Sequence, residues 1–366
     1  MTTRQDILVI GGGIAGISAA AEMAATATVA VLEAEEVIGY HSSGRSAAIF
    51  IRNYGNATLR ALNAAAEPFL MEPVGVSDSS LLSPRGELMI ATEAETAALD
   101  TYLEGASGME RITPDEAVGL VPILRRDRIA AAAIEPTAQD IDVDRMLQGY
   151  ARLLRKRGGT IHANAGAKAI SYAQGLWTVE TASGRFQAPI LVNAAGAWGD
   201  EIARLAGVNP VGLTPMRRSA ILLPAPDGYD ITNWPLFVTA SEQWYAKPEA
   251  GKLFVSPADE DPVEPHDAWP DDMVMAEGLD RYEQAVSVPV TRVERSWAGL
   301  RTFARDRTPV VGLDPRADGF FWLVGQGGYG MQTAPALSVL AADLCAKKTP
   351  TLRADIVAAL SPTRFL

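Results

Sequence analysis

The feature that most restricts the fold of this chain is an apolar segment that stops abruptly at a glycine-rich turn. Ile7–Ile10 is followed by Gly11, Gly13 and Gly16 in the pattern G-x-G-x-x-G. The first glycine permits a tight strand-to-helix turn, the second lets backbone approach a pyrophosphate, and the third lets the helix pack closely on the strand. Glu33 ends the next apolar segment 22 positions after Gly11, where a carboxylate accepts hydrogen bonds from ribose hydroxyls. The complete unit predicts a dinucleotide site rather than a structural glycine turn, with the pyrophosphate at the N-terminus of the following helix.

The composition is that of an ordinary globular protein. The length of 366 residues suggests about two domains, and 48% of the residues are hydrophobic against 21% charged. The formal charge of −12 argues against nucleic acid or an anionic membrane surface as a partner. The single cysteine, Cys345, excludes an internal disulfide, and the three histidines are not spaced like metal ligands, so we expect no metal site. No signal-like segment precedes the first predicted strand and no segment approaches about 18 unbroken apolar residues, so we expect a cytoplasmic protein without a transmembrane segment.

The rest of the chain alternates between two styles of segment. Apolar segments at 190–193 and 320–324 each run into small residues and then a helix, the second of them predicted from Thr333 to Cys345, which favours further elements of the dinucleotide-binding fold. Between them, from about residue 210 to 293, prolines and β-type runs predict a second, mostly antiparallel unit. We therefore expect an α/β protein in which a Rossmann-type domain carries an inserted, mostly antiparallel β-sheet domain of α+β type. The expected division assigns residues 1–80, 139–208 and 315–366 to the dinucleotide-binding domain, and residues 81–138 and 209–314 to the substrate-binding domain.

Several segments carry a resemblance to a known family. The glycine fingerprint with its acid, the segment Trp297–Phe303 and the turn Gly327–Gly330 resemble the D-amino-acid-oxidase-type flavoproteins. Other segments, namely Gly39–Ala48, Leu82–Glu87, Val192–Trp198 and Arg217–Ser219, are similar to the bacterial FAD-dependent D-arginine dehydrogenases. The resemblance runs over nearly the whole chain.

The resemblance implies that FAD fills the dinucleotide site. Because no cysteine or histidine matches a position of covalent flavin attachment, the FAD is expected to bind non-covalently. An alternative for Arg45, which lies in a Gly- and Ser-rich loop, is an ordinary solvated position rather than an anion contact. The expected cofactor contacts are Gly11, Gly13, Ala15, Gly16, Glu33, Ala34, Ser42, Ser43, Gly44, Arg45, Ser46, Ala47, Ala48, Ile49, Ala167, Gly327, Gly328, Tyr329, Gly330, Met331 and Gln332.

The same resemblance implies how the substrate is held. The family binds an α-carboxylate with arginine and tyrosine, and guanidinium indeed binds carboxylate in two-point fashion. By themselves the tyrosines could equally be packing aromatics, and Arg217 and Arg218 point to opposite faces of a strand, so only one can face the pocket; the family match favours Arg218. The expected substrate contacts are Tyr54, Arg218, Tyr245, Arg301, Gly328 and Glu87.

Glu87 is the candidate for specificity. At the matching position the family pairs a glutamate with the cationic side chain of D-arginine, although a glutamate at the head of a strand is more often solvated. Two positions depart from that family: Ile49 stands where the D-arginine dehydrogenases carry a histidine. Arg52, on the same loop, would repel a cationic substrate if it faced the pocket.

The expected reaction is oxidative deamination of D-amino acids of basic or broad range. A hydride leaves Cα for the flavin N5 atom, and the imino acid hydrolyses to a 2-oxo acid and ammonia. No dedicated base is assigned, because hydride loss needs only a neutral amine. The expected partners are the amino acid and a quinone or other electron acceptor. An oxidase that uses O₂ is an alternative, because no residue indicates which acceptor reoxidises the flavin. The sequence assigns no oligomeric state. Alternatives are oxidation of an N-alkyl amino acid, an opine or a 2-hydroxy acid, and a flavin-binding subunit of a larger complex.

Overall fold

A six-stranded sheet, the central sheet, forms from the apolar segments that the sequence places next to glycine turns. The computed structural model of the protein describes residues 2–365 of the chain. The strands lie in the order Thr160–His162, Val29–Leu32, Ile7–Ile10, Ile190–Asn193, Phe320–Val324 and Val310–Leu313, and all neighbours are parallel except the last pair. Ile7–Ile10 is buried along its whole length, as is typical of a parallel strand that is covered on both faces. The expected α/β class with a Rossmann-type sheet is confirmed.

Helices pack on the central sheet through small residues. The helix Ile14–Met23 starts directly after the glycine turn, and its Ala19, Ala20 and Ala21 are fully buried. It contacts the long helices Val143–Lys156 and Gly330–Cys345. The last of these begins at Gly330 instead of near Thr333, because the Thr333 amide already donates a helical hydrogen bond to the Tyr329 carbonyl at 3.0 Å.

The second unit is built on a large, mostly antiparallel sheet, as the Pro-rich and β-rich composition predicts. Its longest pairing joins Thr214–Leu223 with Arg295–Phe303. Leu236–Thr239 runs parallel to Glu87–Ala91, the one parallel pair among its described strands. The sheet continues from Thr214–Leu223 in the order Lys252–Ser256, Tyr245–Glu249, Leu236–Thr239, Glu87–Ala91, Ala131–Glu135 and Glu110–Ile112, with Asp261–Pro262 on its other edge.

Two smaller sheets complete the β-structure. The first contains Thr2–Arg4, Gly184–Ala188, Leu176–Thr181 and Ala169–Ala173, and the second contains Ile49–Phe50, Gln139–Ile141 and Leu82–Pro84. The remaining helices are Ala57–Met71, Thr96–Leu103, Pro114–Leu120, Gly199–Leu205, Asp272–Ala285 and Ala354–Leu360, with 3₁₀ turns at Glu93–Glu95, Arg126–Arg128, Gly196–Trp198 and Pro362–Phe365.

The strand pairing changes one expected domain boundary. Val310–Leu313 pairs with Phe320–Val324 in the central sheet, although it precedes the boundary expected at residue 315. The third segment of the proposed cofactor domain therefore begins before Val310. The sequence pattern did not predict this strand, because a four-residue strand at the edge of a sheet is not followed by a glycine turn that would mark it.

Candidate active site

The glycine turn is closed too tightly for any side chain. Gly11 has φ of +109°, and a Cβ there would lie 2.4 Å from the Ala194 carbonyl oxygen of the neighbouring strand end. A Cβ at Gly16 would lie 2.0 Å from the Gly11 oxygen. Only glycine fits at either position. The turn therefore holds the start of the helix Ile14–Met23 against two strand ends.

Hydrogen bonds fix the two side chains that flank this turn. One carboxylate oxygen of Glu33 accepts from the Gly12 amide at 2.5 Å, and the other accepts from the Glu35 amide at 2.8 Å. Each oxygen keeps a second lone pair that a ribose hydroxyl could use. The Ser43 hydroxyl accepts from the Ile14 amide at 2.9 Å and so caps the helix from 29 positions away.

A cavity of about 620 Å³ runs from this turn to the large sheet. Gly11, Glu33 and Ala167 lie at one end, and Arg301 lies at the other. A second cavity of about 80 Å³ shares Arg301, Tyr245 and Gly328 with it. One or both cavities are lined by most of the expected cofactor residues, namely Gly11, Gly13, Ala15, Glu33, Ala34, Ser42, Ser43, Arg45, Ser46, Ala47, Ala48, Ile49, Ala167, Gly327, Gly328, Gly330, Met331 and Gln332.

Three expected cofactor residues lie outside both linings. Gly16 serves the packing of helix on strand, and a Cβ at Gly44 would lie 2.5 Å from the Gly39 oxygen, so Gly44 shapes its own turn. Tyr329 is buried, and its ring centroid lies 4.8 Å from that of Tyr54. It acts here as a packing partner of Tyr54.

Arg45 lines the large cavity, and its guanidinium is bound by groups of the protein. It forms an ion pair with Asp267 at 2.5 Å and donates to the carbonyls of Ala268 and Ala298 at 3.1 and 3.0 Å, with a longer bond to Tyr40. Its donors are therefore used in tying loops of the second unit to residues 39–48. The Ser42 hydroxyl adds to this link by donating to the Leu300 carbonyl at 2.6 Å.

The side chain of Gln332 is held by hydrogen bonds within the protein. Its side-chain amide donates to Asn63 at 2.8 Å and accepts from the Ile51 amide at 3.3 Å. Both ends of the amide are therefore occupied by protein, and Gln332 orders the chain next to the second cavity.

Arg301 is the central charge at the far end of the large cavity. Its two terminal nitrogens donate to the hydroxyls of Tyr54 and Tyr245, each at 3.3 Å. It makes no ion pair with any carboxylate of residues 2–365. Burial lowers the pKa of Arg301, but the phenol oxygens of Tyr245 and Tyr54 outweigh this and leave its pKa above the ordinary value. Arg301 is therefore a cation whose partners in the protein are neutral hydroxyls.

Gly328 leaves the space that this guanidinium occupies. A Cβ at Gly328 would lie 2.9 Å from Nη1 of Arg301, and a Cβ at Gly327, where φ is +54°, would lie 2.1 Å from the Phe303 ring. The glycine turn that precedes the helix Gly330–Cys345 therefore leaves room for Arg301 to reach the cavity.

The structure decides between Arg217 and Arg218. Arg218 lines both cavities, and its guanidinium lies 5.9 Å from the Tyr245 ring centroid. Arg217 instead pairs with Asp261 at 2.7 Å. Arg218 is paired too, with Glu260 at 2.9 Å. Arg218 therefore faces the cavities, as expected. Unlike Arg301, it is paired with a carboxylate of the protein.

Glu87 faces the second cavity and is almost completely buried, with 4% of its surface exposed. Its Oε2 atom has no hydrogen-bond partner in the described structure. Burial, followed by the charges of Glu135 and Glu242, raises the pKa of Glu87 well above its ordinary value. Glu135 is its cross-strand neighbour and is itself satisfied, since it accepts from Asn53 Nδ2 at 2.6 Å and from the Arg52 amide at 3.0 Å.

The two departures from the D-arginine pattern have different outcomes. Ile49 lines the second cavity and packs against its apolar wall. The Arg52 guanidinium turns away from the cavity, since it binds the Glu67 carboxylate and the Thr137 hydroxyl. Arg52 therefore does not set a positive charge against a basic substrate in the pocket.

Sequence reasoning missed several residues of the second cavity. Leu236, Val238 and Met89 form an apolar wall of this cavity, and the sequence does not indicate which face of their strands lies towards it. Tyr102 and Glu242 also line it. Glu242 lies in a tight turn with φ of +51°, and a polar turn residue gives no signal of this kind. Tyr102 sits on a short helix and has no motif around it.

The described residues contain neither a membrane-spanning helix nor a metal-binding cluster. Within residues 2–365 no helix combines the length and the apolar character needed to cross a bilayer. In the same part of the chain, no group of three or more His, Cys, Asp or Glu side chains is arranged to hold a metal ion.

The fold and the cavity together define a dinucleotide-binding oxidoreductase. A family model described as FAD dependent oxidoreductase (DAO) matches residues 6–344. The chain therefore belongs to the DAO family of FAD-dependent oxidoreductases, and FAD is its cofactor. The residues present fit this group: Gly11 in the glycine turn admits no Cβ, Glu33 keeps lone pairs for a ribose, and the cavity extends from there to Arg301.

Known proteins with this architecture match the chain over nearly its whole length. The glycine oxidase of Geobacillus kaustophilus is 23% identical over 95% of this chain and 94% of its own, and its crystal structure superposes with a TM-score of 0.84 over 99% of each chain at 22% identity. L-proline dehydrogenase from P. horikoshii superposes with a TM-score of 0.83 at 23% identity, over 100% of this chain and 98% of its own. Dithionite-reduced L-alpha-glycerophosphate oxidase from Mycoplasma pneumoniae, with FAD bound, superposes with a TM-score of 0.85 at 18% identity, over 95% of this chain and 97% of its own. These likenesses establish the fold.

Proposed function

We propose that this protein oxidatively deaminates D-amino acids, with a preference for basic side chains, to 2-oxo acids and ammonia. The observation that carries the proposal is Arg301, a cation in the cavity whose partners are two tyrosine hydroxyls and no described carboxylate. A buried charge is retained at a cost unless it is paired. An α-carboxylate would pair it, and each tyrosine hydroxyl would add a neutral donor.

The charges around the second cavity support the choice of side chain. Arg301 and Arg218 lie on the side shared with the large cavity, and Glu87 and Glu242 lie along the second cavity. A ligand with a carboxylate at one end and a cation at the other complements this distribution. The apolar residues Met89, Leu236 and Val238 between them suit a methylene stem.

The chain contributes orientation to the reaction. Bound FAD supplies the acceptor for the hydride that leaves the substrate Cα. Arg301, Tyr54 and Tyr245 would fix the carboxylate and so direct the Cα–H bond. No histidine lines the second cavity, and the substrate amine needs only to be neutral when the hydride leaves. Preference for the D-enantiomer rests on the resemblance to the D-arginine dehydrogenases.

The relatives support a second candidate. Glycine oxidase and L-proline dehydrogenase are named for amino acids that are not D-enantiomers, and the glycerophosphate oxidase is named for an alcohol. Oxidation of an N-alkyl amino acid, an opine or a 2-hydroxy acid would use the same carboxylate clamp.

An anaerobic panel separates these functions. The purified FAD protein is mixed with D- and L-arginine, D- and L-methionine, glycine, sarcosine, L-proline and 2-hydroxyglutarate, and the flavin absorbance is followed. We expect fastest bleaching with D-arginine. Faster bleaching by sarcosine, L-proline or a hydroxy acid would favour the second candidate. No bleaching by any compound would favour a flavin-binding subunit of a larger complex.

A second measurement identifies the electron acceptor. Reduced protein is exposed either to O₂ or to a soluble quinone, and the rate of reoxidation is compared. We propose a quinone or another organic acceptor, by resemblance to the dehydrogenases; fast reoxidation by O₂ with release of hydrogen peroxide would make the enzyme an oxidase.

A further inference from the structure

Two buried polar atoms without partners face the same small cavity. Within residues 2–365 the buried side-chain atoms that lack a hydrogen bond are Glu87 Oε2, Tyr102 Oη, Arg217 Nε and Thr302 Oγ1. Glu87 and Tyr102 both line the second cavity. A buried polar group without a hydrogen bond destabilises the fold by about 1–3 kcal/mol, so two that share one cavity require an explanation.

Tyr102 reaches this cavity from a different element than Glu87. It lies near the end of the helix Thr96–Leu103, which packs on the strand Glu87–Ala91. Its ring belongs to the apolar cluster around Met89 and Leu236, while its hydroxyl is shielded from solvent. The charge of Glu87 acts on the Tyr102 hydroxyl directly, since burial and then that charge raise the pKa of Tyr102.

The two groups do not satisfy each other. No hydrogen bond joins the Tyr102 hydroxyl to Glu87, although both could take part in one. Glu135, the cross-strand neighbour of Glu87, accepts one hydrogen bond on each carboxylate oxygen, from Asn53 and from the Arg52 amide. Glu87 Oε2 and the Tyr102 hydroxyl are therefore the buried atoms at this cavity that have no partner, and both are able to accept from N–H groups.

We propose that Tyr102 is a specificity-determining residue, and that its hydroxyl and Glu87 Oε2 together bind the N–H donors of a cationic group at the tip of the substrate side chain. The proposal rests on the proposed oxidation of basic D-amino acids. An ammonium has three donors and a guanidinium five in a fixed fork, so either can reach two acceptors that lie on separate elements. A hydrocarbon side chain of the same length reaches neither.

D-lysine and D-norleucine test this, because they share the four-carbon stem and differ by the terminal ammonium. The readout is the ratio of kcat/KM for D-lysine to that for D-norleucine, measured on the FAD-loaded enzyme. In Tyr102→Phe we expect the ratio to fall about ten-fold, as for the loss of one hydrogen bond to a charged group. Tyr172→Phe, which changes an exposed tyrosine on the four-stranded sheet, is the matched control and should keep the wild-type ratio.

A double-mutant cycle sharpens the assignment. If Tyr102 and Glu87 bind the same cationic group, the fall in the ratio for Tyr102→Phe combined with Glu87→Gln should be smaller than the product of the two single falls. Independent effects, in which the falls multiply, would overturn the shared site. FAD content and the melting temperature of each variant are measured alongside, so that a folding defect is recognised by equal losses on both substrates.

The outcomes separate this inference from the proposed function. A wild type that oxidises D-norleucine at least as well as D-lysine overturns both. A wild type that prefers D-lysine, and whose ratio survives in Tyr102→Phe, overturns the role of Tyr102 alone. Equal losses on both substrates in Tyr102→Phe would make Tyr102 a structural residue, and this inference would be wrong.

Discussion

The two ends of the large cavity are built from different parts of the polypeptide. At the Glu33 end the backbone fixes the surface: Gly11 admits no Cβ, and the amides of Gly12 and Glu35 hold the one carboxylate. At the Arg301 end the surfaces are side chains whose hydroxyls and guanidinium meet across the cavity. Backbone surfaces tolerate few substitutions and suit an unchanging cofactor. Side-chain surfaces can change one at a time, and so they set substrate choice.

The charges follow the same division. Arg45, which lies in the loop nearest to the cofactor segments, is neutralised by Asp267, and Arg218 is neutralised by Glu260. Arg301 pairs with no described carboxylate, and Glu87 Oε2 has no partner. Unsatisfied groups are thus concentrated on the substrate side, where a ligand of opposite charge at each end would satisfy them.

The largest effect is expected at the backbone end, from Gly11→Ala. The added Cβ would lie 2.4 Å from the Ala194 oxygen, in a backbone conformation with φ of +109°, so the turn must open. We expect the FAD content of the purified protein to fall at least about ten-fold, since a shift worth about 1.4 kcal/mol already changes binding by that factor. The measurement is the flavin absorbance of the supernatant after acid precipitation, which should release all FAD from the wild type.

Gly207→Ala controls for the backbone conformation alone. Gly207 has φ of +70°, but no atom lies within 4 Å of an added Cβ. It should retain wild-type FAD content, with some loss of stability from the strained φ. Full FAD in Gly11→Ala would contradict the view that this end is fixed by backbone packing.

The contrast between the ends also explains what could be predicted from the sequence. The turn, its helix and Glu33 lie within one short segment, so their spacing alone places them together. The central sheet follows from the same pattern repeated at Ile190–Asn193 and Phe320–Val324. The helix start at Gly330 was placed three residues late, since glycine normally argues against a helical position.

The substrate end depends on contacts that spacing does not encode. Spacing does not show that Arg45 pairs with Asp267, because Asp267 lies 222 positions away. Tyr102 reaches the cavity only because its helix packs on the strand of Glu87. The acids that raise the pKa of Glu87 come from a cross-strand pair and a turn. The resemblance to a family supplied Arg301 and Tyr245, but could not supply what surrounds them.

The next largest effect is expected from Arg301→Met at the side-chain end. Losing one charge-assisted contact to a carboxylate amounts to about 1.5–3 kcal/mol, so KM should rise roughly ten- to a hundred-fold for every carboxylate substrate. FAD content should stay at the wild-type level, in contrast to Gly11→Ala. Arg185→Met, which removes an exposed arginine paired with Glu180, is the control. If Arg301→Met has a wild-type KM, the clamp assignment is wrong.

A more selective effect is expected from Glu87→Leu. Basic D-amino acids lose a charged hydrogen bond, so the ratio of kcat/KM for D-arginine to that for D-methionine should fall about ten-fold or more. The wild-type ratio should itself rise with pH, because burial keeps the pKa of Glu87 above its ordinary value and a cation binds best to the ionised form. Equal losses on both substrates would show that Glu87 serves only the fold. A wild type that prefers acidic or apolar D-amino acids would contradict the proposed subsite.

The smallest effect concerns the pH profile and Tyr245. Burial raises the pKa of Tyr245, but the charges of Arg301 and Arg218 outweigh it and bring the pKa below its ordinary value of 10. As the pH rises through this lowered pKa, Tyr245 becomes a phenolate that pairs with Arg301 and repels the substrate carboxylate. We therefore expect kcat/KM to fall at alkaline pH below about 10, and Tyr245→Phe to abolish that fall while lowering kcat/KM only a few-fold at neutral pH, the effect of one neutral hydrogen bond.

Tyr54→Phe is the matched control, since Tyr54 makes the same 3.3 Å contact with Arg301. Burial raises the pKa of Tyr54 above its ordinary value, so its ionisation lies outside the measured range and Tyr54→Phe should keep the alkaline fall. Titration of the substrate amine raises kcat/KM as the pH rises, because more of the neutral amine forms. It therefore cannot produce the alkaline fall. An alkaline fall that persists in Tyr245→Phe but disappears in Tyr54→Phe would reverse the assignment. Its persistence in both would show that neither clamp tyrosine ionises in this range, and that the charge of Arg301 acts on the substrate alone.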